Sequence, residues 1–153
     1  MSIVSDIEKL KKEKNAVILA HYYVDEDVQD VADYIGDSFY LSKVATKVSQ
    51  DRIIFAGVEF MGESAKILNP KKRVFMPDMN ADCPMAHMAD KDEILALREK
   101  YDDIAVVCYI NSTAELKKYS DVCVTSSNAV KIVKNLPNKN IFFIPDRNLG
   151  SYV

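Results

Sequence analysis

AVILAHYY (16–23) and AVVCYINS (105–112) decide how this chain folds. Each starts as a short apolar run and ends in side chains that hydrogen bond. A continuous apolar run of strand length is what a strand covered on both faces of a parallel sheet requires. When His21 is set against Tyr109, the two segments lie 88 residues apart. The same offset carries Asp33 to Asp121, Ser38 to Ser126, Phe55 to Phe143 and Gly62 to Gly150. IIFAGVEFMG (53–62) then falls on IFFIPDRNLG (141–150) without a gap. One register held across five landmarks indicates two copies of a single α/β unit.

The remaining pattern supports that class. Strands are expected at 16–20, 52–57, 73–77, 104–110, 121–125 and 141–145. Helices are expected at 7–15, 38–49, 62–69, 90–102 and 126–136. DEDVQDVADYIG (25–36) reads as one further helix, with an acidic first turn, a stripe of Val28, Val31, Ala32 and Ile35, and Gly36 as its stop. Ser112 and Glu115 form a capping box that opens another helix. The expectation is α/β: repeated three-layer α/β/α units with short parallel sheets, a first domain at 1–85 and a second at 86–153. In the first copy, Gly62 precedes a helix, a strand and the loop NADCPMA (80–86); the second stops three residues after Gly150. The counterpart of Cys83 would be residue 171, so the second domain is expected to be truncated and the chain to be part of a longer or split protein.

Composition narrows the function. Twenty basic residues against 23 acidic ones give a net charge of −3. That balance argues against a nucleic-acid surface or a polybasic membrane surface. No apolar run is long enough to span a bilayer and the N-terminus lacks a signal core, so the expected location is the cytoplasm. The four glycines make neither G-x-G-x-x-G nor a P-loop. The three cysteines, at 83, 108 and 123, form no disulfide framework. Cys108 and Cys123 sit inside apolar strands and read as small buried residues, whereas Cys83 stands alone in a polar loop.

In open parallel sheets, ligands bind beyond the carboxyl ends of the strands. His21 ends one apolar run; it is either a packing or capping residue, or a donor and general acid–base group. Tyr109 and Asn111 are two apart on an extended segment; they are either a core tyrosine and a turn asparagine, or a pair facing the same way, as a carboxylate or carbonyl would need. Ser38 and Ser126 each stand at a helix start, where a serine usually caps. Their equivalence in the repeat adds a second reading, in which the pair holds both ends of a dianion. Glu59, Glu63 and Arg147 are further candidates at strand ends.

The motifs HYYVDEDVQDVADYIGDS, FAGVEFMGESAKIL, MPDMNADCPMA, YINSTAELK, TSSNAVKIV and PDRNLGSYV together resemble the quinolinate synthase A family, in family order from Ala16 to Val153. The resemblance implies three similar α/β domains about a pseudo-threefold axis, of which this chain holds the first two. It implies condensation of iminoaspartate with dihydroxyacetone phosphate to quinolinate, in de novo NAD biosynthesis. Iminoaspartate would come from L-aspartate oxidase or aspartate dehydrogenase. The family uses a [4Fe–4S] cluster held by one cysteine from each domain, with an open iron as Lewis acid. Cys83 matches the first ligand, and the other two would lie beyond Val153. By the same resemblance, His21, Ser38, Tyr109, Asn111 and Ser126 match substrate-binding positions, and Tyr23 lines the pocket near the reacting carbons; His21, Tyr23 and Tyr109 are the catalytic candidates. One thiolate cannot hold a cubane cluster, so the chain by itself is expected to be inactive. The alternatives are a non-catalytic module for a small dicarboxylate or phosphate compound, and one subunit of a split enzyme.

Overall fold

The computed structural model describes residues 2–153. The chain divides into two compact units, one ending at Asp82 and the other running Cys83–Val153. The first holds α1 (Ile3–Glu13), β1 (Ala16–His21), α2 (Glu26–Asp30), β2 (Tyr34–Gly36), α3 (Ser38–Lys47), β3 (Arg52–Ala56), α4 (Glu59–Leu68) and β4 (Arg73–Phe75). The second begins with a 3-10 turn (Pro84–His87). It continues with α5 (Lys91–Lys100), β5 (Ile104–Tyr109), α6 (Ala114–Lys118), β6 (Val122–Val124), α7 (Ala129–Val133), β7 (Asn140–Ile144) and α8 (Arg147–Tyr152). The sheets have strand orders β2-β1-β3-β4 and β6-β5-β7, parallel throughout. This is the α/β architecture of repeated units that the apolar runs imply.

The repeat is visible strand by strand. β1 and β5, β2 and β6, and β3 and β7 share the 88-residue offset at both ends, as do α2 and α6. The central strands are buried on both faces: Val17, Ile18, Leu19 and Ala20 in one unit, Ala105, Val106, Val107 and Cys108 in the other. In the second unit Val106, Cys108 and Ile144 pack on Ile94 of α5 and Leu116 of α6. The opposite face packs Val107 and Val124 against Ala129, Ile132 and Val133 of α7 and Leu149 of α8. That gives three layers, set by alternation of side chains along β5. In the first unit, α3 buries Leu41, Val44 and Ala45, while α4 buries Phe60, Met61 and Ala65.

An aspartate positions each short edge strand. Asp33 stands just before β2; its Oδ2 accepts from the Ile18 N–H at 2.8 Å, and its own N–H donates to the Ile18 carbonyl at 2.9 Å. Asp121 does the same for Val106, at 2.7 Å and 2.9 Å. A cation from the preceding helix completes each arrangement. Lys11 Nζ reaches Asp33 Oδ1 and the Val31 carbonyl, and Arg98 Nη2 reaches Asp121 Oδ2 and the Tyr119 carbonyl. The acceptors Val31 and Tyr119 are again 88 apart.

Several expectations need correction. Residues 25–36 are not one helix: α2 ends at Asp30 and 34–36 are strand. Ile35 is 37% exposed and never formed a core stripe with Val28. The helix expected from 62 starts at Glu59, and its counterpart α8 starts at Arg147, so part of the helix expected to be missing from the second copy is present. Thr113, not Ser112, caps α6 by accepting from the Leu116 N–H at 3.3 Å. α7 starts at Ala129 and leaves Ser126 in the preceding turn. Cys123 is exposed, not buried. No helix among the described residues is long and apolar enough to cross a membrane.

Replacing Asp33 or Asp121 with alanine strands a strand N–H and should lower unfolding free energy by about 1–3 kcal/mol in each case. Urea denaturation of the two variants checks this; a cost at one site and none at the other would show that the shared geometry is not a shared energy.

Candidate functional site

Because every strand is parallel, all carboxyl ends in a sheet share one edge. The strand order reverses about β1 in the first unit and about β5 in the second, since each is flanked by the strand after it and by the one after that. This is the switch point where open α/β sheets place ligands. His21 closes β1 and Tyr109 closes β5.

In the first unit, His21 pairs with Gly36 at the end of β2, directly ahead of Asp37 and Ser38. A Cβ on Gly36 would collide with the Tyr40 ring, so any larger residue here requires that ring to move. His21 is half-buried. Its Nδ1 accepts from the Tyr23 N–H at 3.4 Å, and its ring meets the Tyr23 ring edge-on at 4.6 Å between centroids. An acceptor at Nδ1 leaves the proton of the neutral ring on Nε2, which becomes a donor. Burial pushes the His21 pKa below the ordinary 6.5, and the Asp37 carboxylate offsets part of that. The neutral ring therefore dominates at neutral pH, and its contribution to stability, present above pH 6.5, fades as the pH falls. Tyr23 itself is 92% exposed.

Ser38 is the first residue of α3 and not its cap. Asp37 holds that role, accepting from the Tyr40 N–H at 2.7 Å. The Ser38 hydroxyl is thereby left for other partners. Gln29 Nε2 donates to the carbonyls of Tyr22 and Val24 and pins the loop after His21. Asp37 and Gln29 were not among the residues the sequence singled out. The Asp-Ser pair ahead of an apolar-periodic segment is a cap signal that would have found the first.

The second unit repeats this edge with other side chains. Tyr109 pairs with Val124 at the end of β6, ahead of Thr125 and Ser126. The Ile110 N–H donates to the Val124 carbonyl, as the Tyr22 N–H donates to that of Gly36. Asn111 follows in the half-buried loop before α6. Ser126 is exposed, in a turn where Asn128 Oδ1 accepts from the Thr125 N–H at 2.7 Å and Thr125 Oγ1 meets Ser127 Oγ at 2.8 Å. Of the other strand-end residues, Asp146 is the α8 cap and Glu59 the first residue of α4.

Each unit thus gathers its own set: His21, Tyr23 and Ser38 on one edge, Tyr109, Asn111 and Ser126 on the other. Cys83 begins the second unit as the residue ahead of the 3-10 turn, its carbonyl accepting from the Ala86 N–H. Beyond that turn, a cleft of about 240 Å³ is lined by Ala86, His87, Asp90, Lys91, Thr113 and Glu115. Among the described residues, no three of His, Cys, Asp or Glu converge as metal ligands. Cys83 is half-buried and in no disulfide.

A family model described as quinolinate synthetase A protein (NadA) matches residues 5–153. A quinolinate synthase of Fusobacterium nucleatum is 67% identical over 147 residues, which is 96% of this chain and 49% of that protein. A quinolinate synthase of Caldicellulosiruptor saccharolyticus is 55% identical over 99% of this chain and 50% of its own length. One from Clostridium perfringens is 56% identical over 100% of this chain and 51% of its own. The chain spans about half the length of the curated relatives it matches.

An NMR titration of His21 should give a midpoint below 6.5, and Asp37→Asn, which keeps a capping side chain, should move it further down. An unchanged midpoint in that variant would remove Asp37 from the electrostatics of the site.

Proposed function

The chain belongs to the quinolinate synthetase A family, and we propose that it forms the N-terminal part of a quinolinate synthase. The reaction is the condensation of iminoaspartate with dihydroxyacetone phosphate to quinolinate in NAD biosynthesis. The observation that carries this reading is the pair of repeat-related strand ends. Each presents one aromatic or imidazole donor, His21 or Tyr109, beside a serine at the next helix start or the turn before it.

The division of labour follows from the side chains. Iminoaspartate is a dicarboxylate, and the hydroxyls of Ser38 and Ser126 with the Asn111 amide are donors suited to its two carboxylates. His21 donates through Nε2 to an oxygen of the triose and, being neutral at working pH, can also take up a proton. Tyr109 offers a phenol that donates or accepts as the condensation product loses water. Tyr23 meets His21 edge-on and is otherwise exposed, so its phenol is available to the substrate near the reacting carbons.

Three cysteine thiolates are needed for the [4Fe–4S] cluster. Cys83 is the proposed ligand from this chain, with the other two supplied by the half of the protein that the relatives have and this chain does not. When bound, the cluster supplies a Lewis-acid iron for the dehydration. Binding of substrate and movement of protons are the tasks assigned to the residues described above.

In the complete protein, Tyr109→Phe and His21→Gln should each lower kcat by about 10²–10⁴-fold, the range for loss of a general acid or base. Ser126→Ala should act mainly on KM. The 153-residue chain alone, supplied with freshly generated iminoaspartate and dihydroxyacetone phosphate, should form no quinolinate. Turnover by the isolated chain, or full activity in the Tyr109 and His21 variants, would overturn the reading.

A further inference from the structure

Cys108 and Cys123 are direct partners in the β5–β6 ladder. In-register residues on neighbouring parallel strands point to the same face of the sheet. Such strands stand about 4.8 Å apart, within the roughly 4.4–6.8 Å between Cα atoms that a disulfide bridges. The Cys108 thiol donates to the Tyr109 carbonyl at 3.5 Å. Cys108 is fully buried while Cys123, on the edge strand, is exposed.

The repeat shows that packing does not demand sulfur here. In the first unit the equivalent ladder partners are Ala20 and Ile35. An ordinary apolar pair therefore fills this position without loss of the architecture. The second unit has replaced both members with thiols. Ser112 Oγ, in the same unit, is fully buried and has no hydrogen-bond partner among the described residues.

We propose that Cys108 and Cys123 form a redox-active dithiol, a modification site that closes to a disulfide with small-molecule disulfides of the glutathione type. This goes beyond the substrate chemistry proposed above and does not depend on it. Each thiol acts on the other, so the pair loses its first proton below the ordinary thiol value and holds the second above it. A proton exchanged between the two ladder partners places the thiolate on exposed Cys123. That sulfur attacks oxidised glutathione, breaking its S–S bond, forming a mixed disulfide on Cys123 and releasing one reduced glutathione. The glutathione thiolate so released takes the proton now on Cys108, whose sulfur attacks Cys123 Sγ, forming the Cys108–Cys123 bond and releasing the second glutathione. Two electrons pass from the cysteine pair to glutathione disulfide, and the two cysteine protons finish on the released thiols.

The test equilibrates the purified, folded chain with reduced and oxidised glutathione, blocks free thiols, and maps peptides by mass. The expected result is one linked peptide pair, Cys108 with Cys123, that dithiothreitol reverses, with both thiols lost together. Cys108→Ala should stop at a glutathione adduct on Cys123 that accumulates several-fold above the wild-type level. The double variant Cys108→Ala, Cys123→Ile, which copies the first unit, should be inert at both positions and should unfold no more easily than the parent. A wild-type chain that accumulates the Cys123 adduct as readily as Cys108→Ala, or that links the pair only in urea, overturns the proposal.

Discussion

The carboxylate that meets a strand N–H in each unit sets everything downstream of it. β2 pairs with β1 over three residues only, and β6 with β5 over three. A three-residue edge strand carries too few ladder bonds to choose its own register. Asp33 and Asp121 extend each ladder by one side-chain bond and one backbone bond on the same residue of the central strand. That choice places Gly36 beside His21 and Val124 beside Tyr109. A slip of one residue would turn the following serine to the other face and separate it from its strand-end partner. The backbone bonds outweigh the ion pairs to Lys11 and Arg98, which are partly solvated and of the kind worth under about 1 kcal/mol.

On this shared frame, the two units differ in the side chains at the strand ends. His21 corresponds to Tyr109, Asp37 to Thr125, Gly36 to Val124, and Ala20 to Cys108. The aspartate anchors Asp33 and Asp121 and the serines Ser38 and Ser126 are kept, while the residues that close the central strands differ. Asp37 gives the first edge a negative charge near an imidazole; the second has neutral hydroxyls in its place. Of the two strand ends, the first carries a titratable imidazole.

The sequence was most legible where apolar residues run on without a break. β1, β3, β5 and β7 stand out as apolar runs, and the offset between copies locates them independently. β2 was hidden because its residues are outnumbered by a misleading pattern: Val28, Val31, Ala32 and Ile35 fall at helical spacing, yet Tyr34 and Ile35 are exposed and only Gly36 is buried. The offset already held the correction, since 34–36 map onto residues within 121–125, which read as strand. Cap identity was harder. Ser112 and Thr113 are adjacent hydroxyls, and only the bond to the Leu116 N–H separates them. Ser126 was displaced from its helix by Asn128, which spends its side chain on the Thr125 N–H. Competition of that kind between neighbouring polar side chains leaves no mark in composition or period. Exposure of Cys123 was likewise invisible, because an edge strand and a central strand of three residues read alike.

Each sheet is assembled entirely from its own stretch of chain, with no strand lent to the other. The first sheet therefore has every partner it needs once Phe75 has left the ribosome, and can close while the second is still being made. The same self-sufficiency creates a hazard. Two neighbouring copies with matching edge strands and matching aspartate anchors are suited to exchanging those strands. Early closure of the first copy removes the acceptor before the competing strand exists, so the order of synthesis protects a tandem architecture that refolding from denaturant would expose to misassembly.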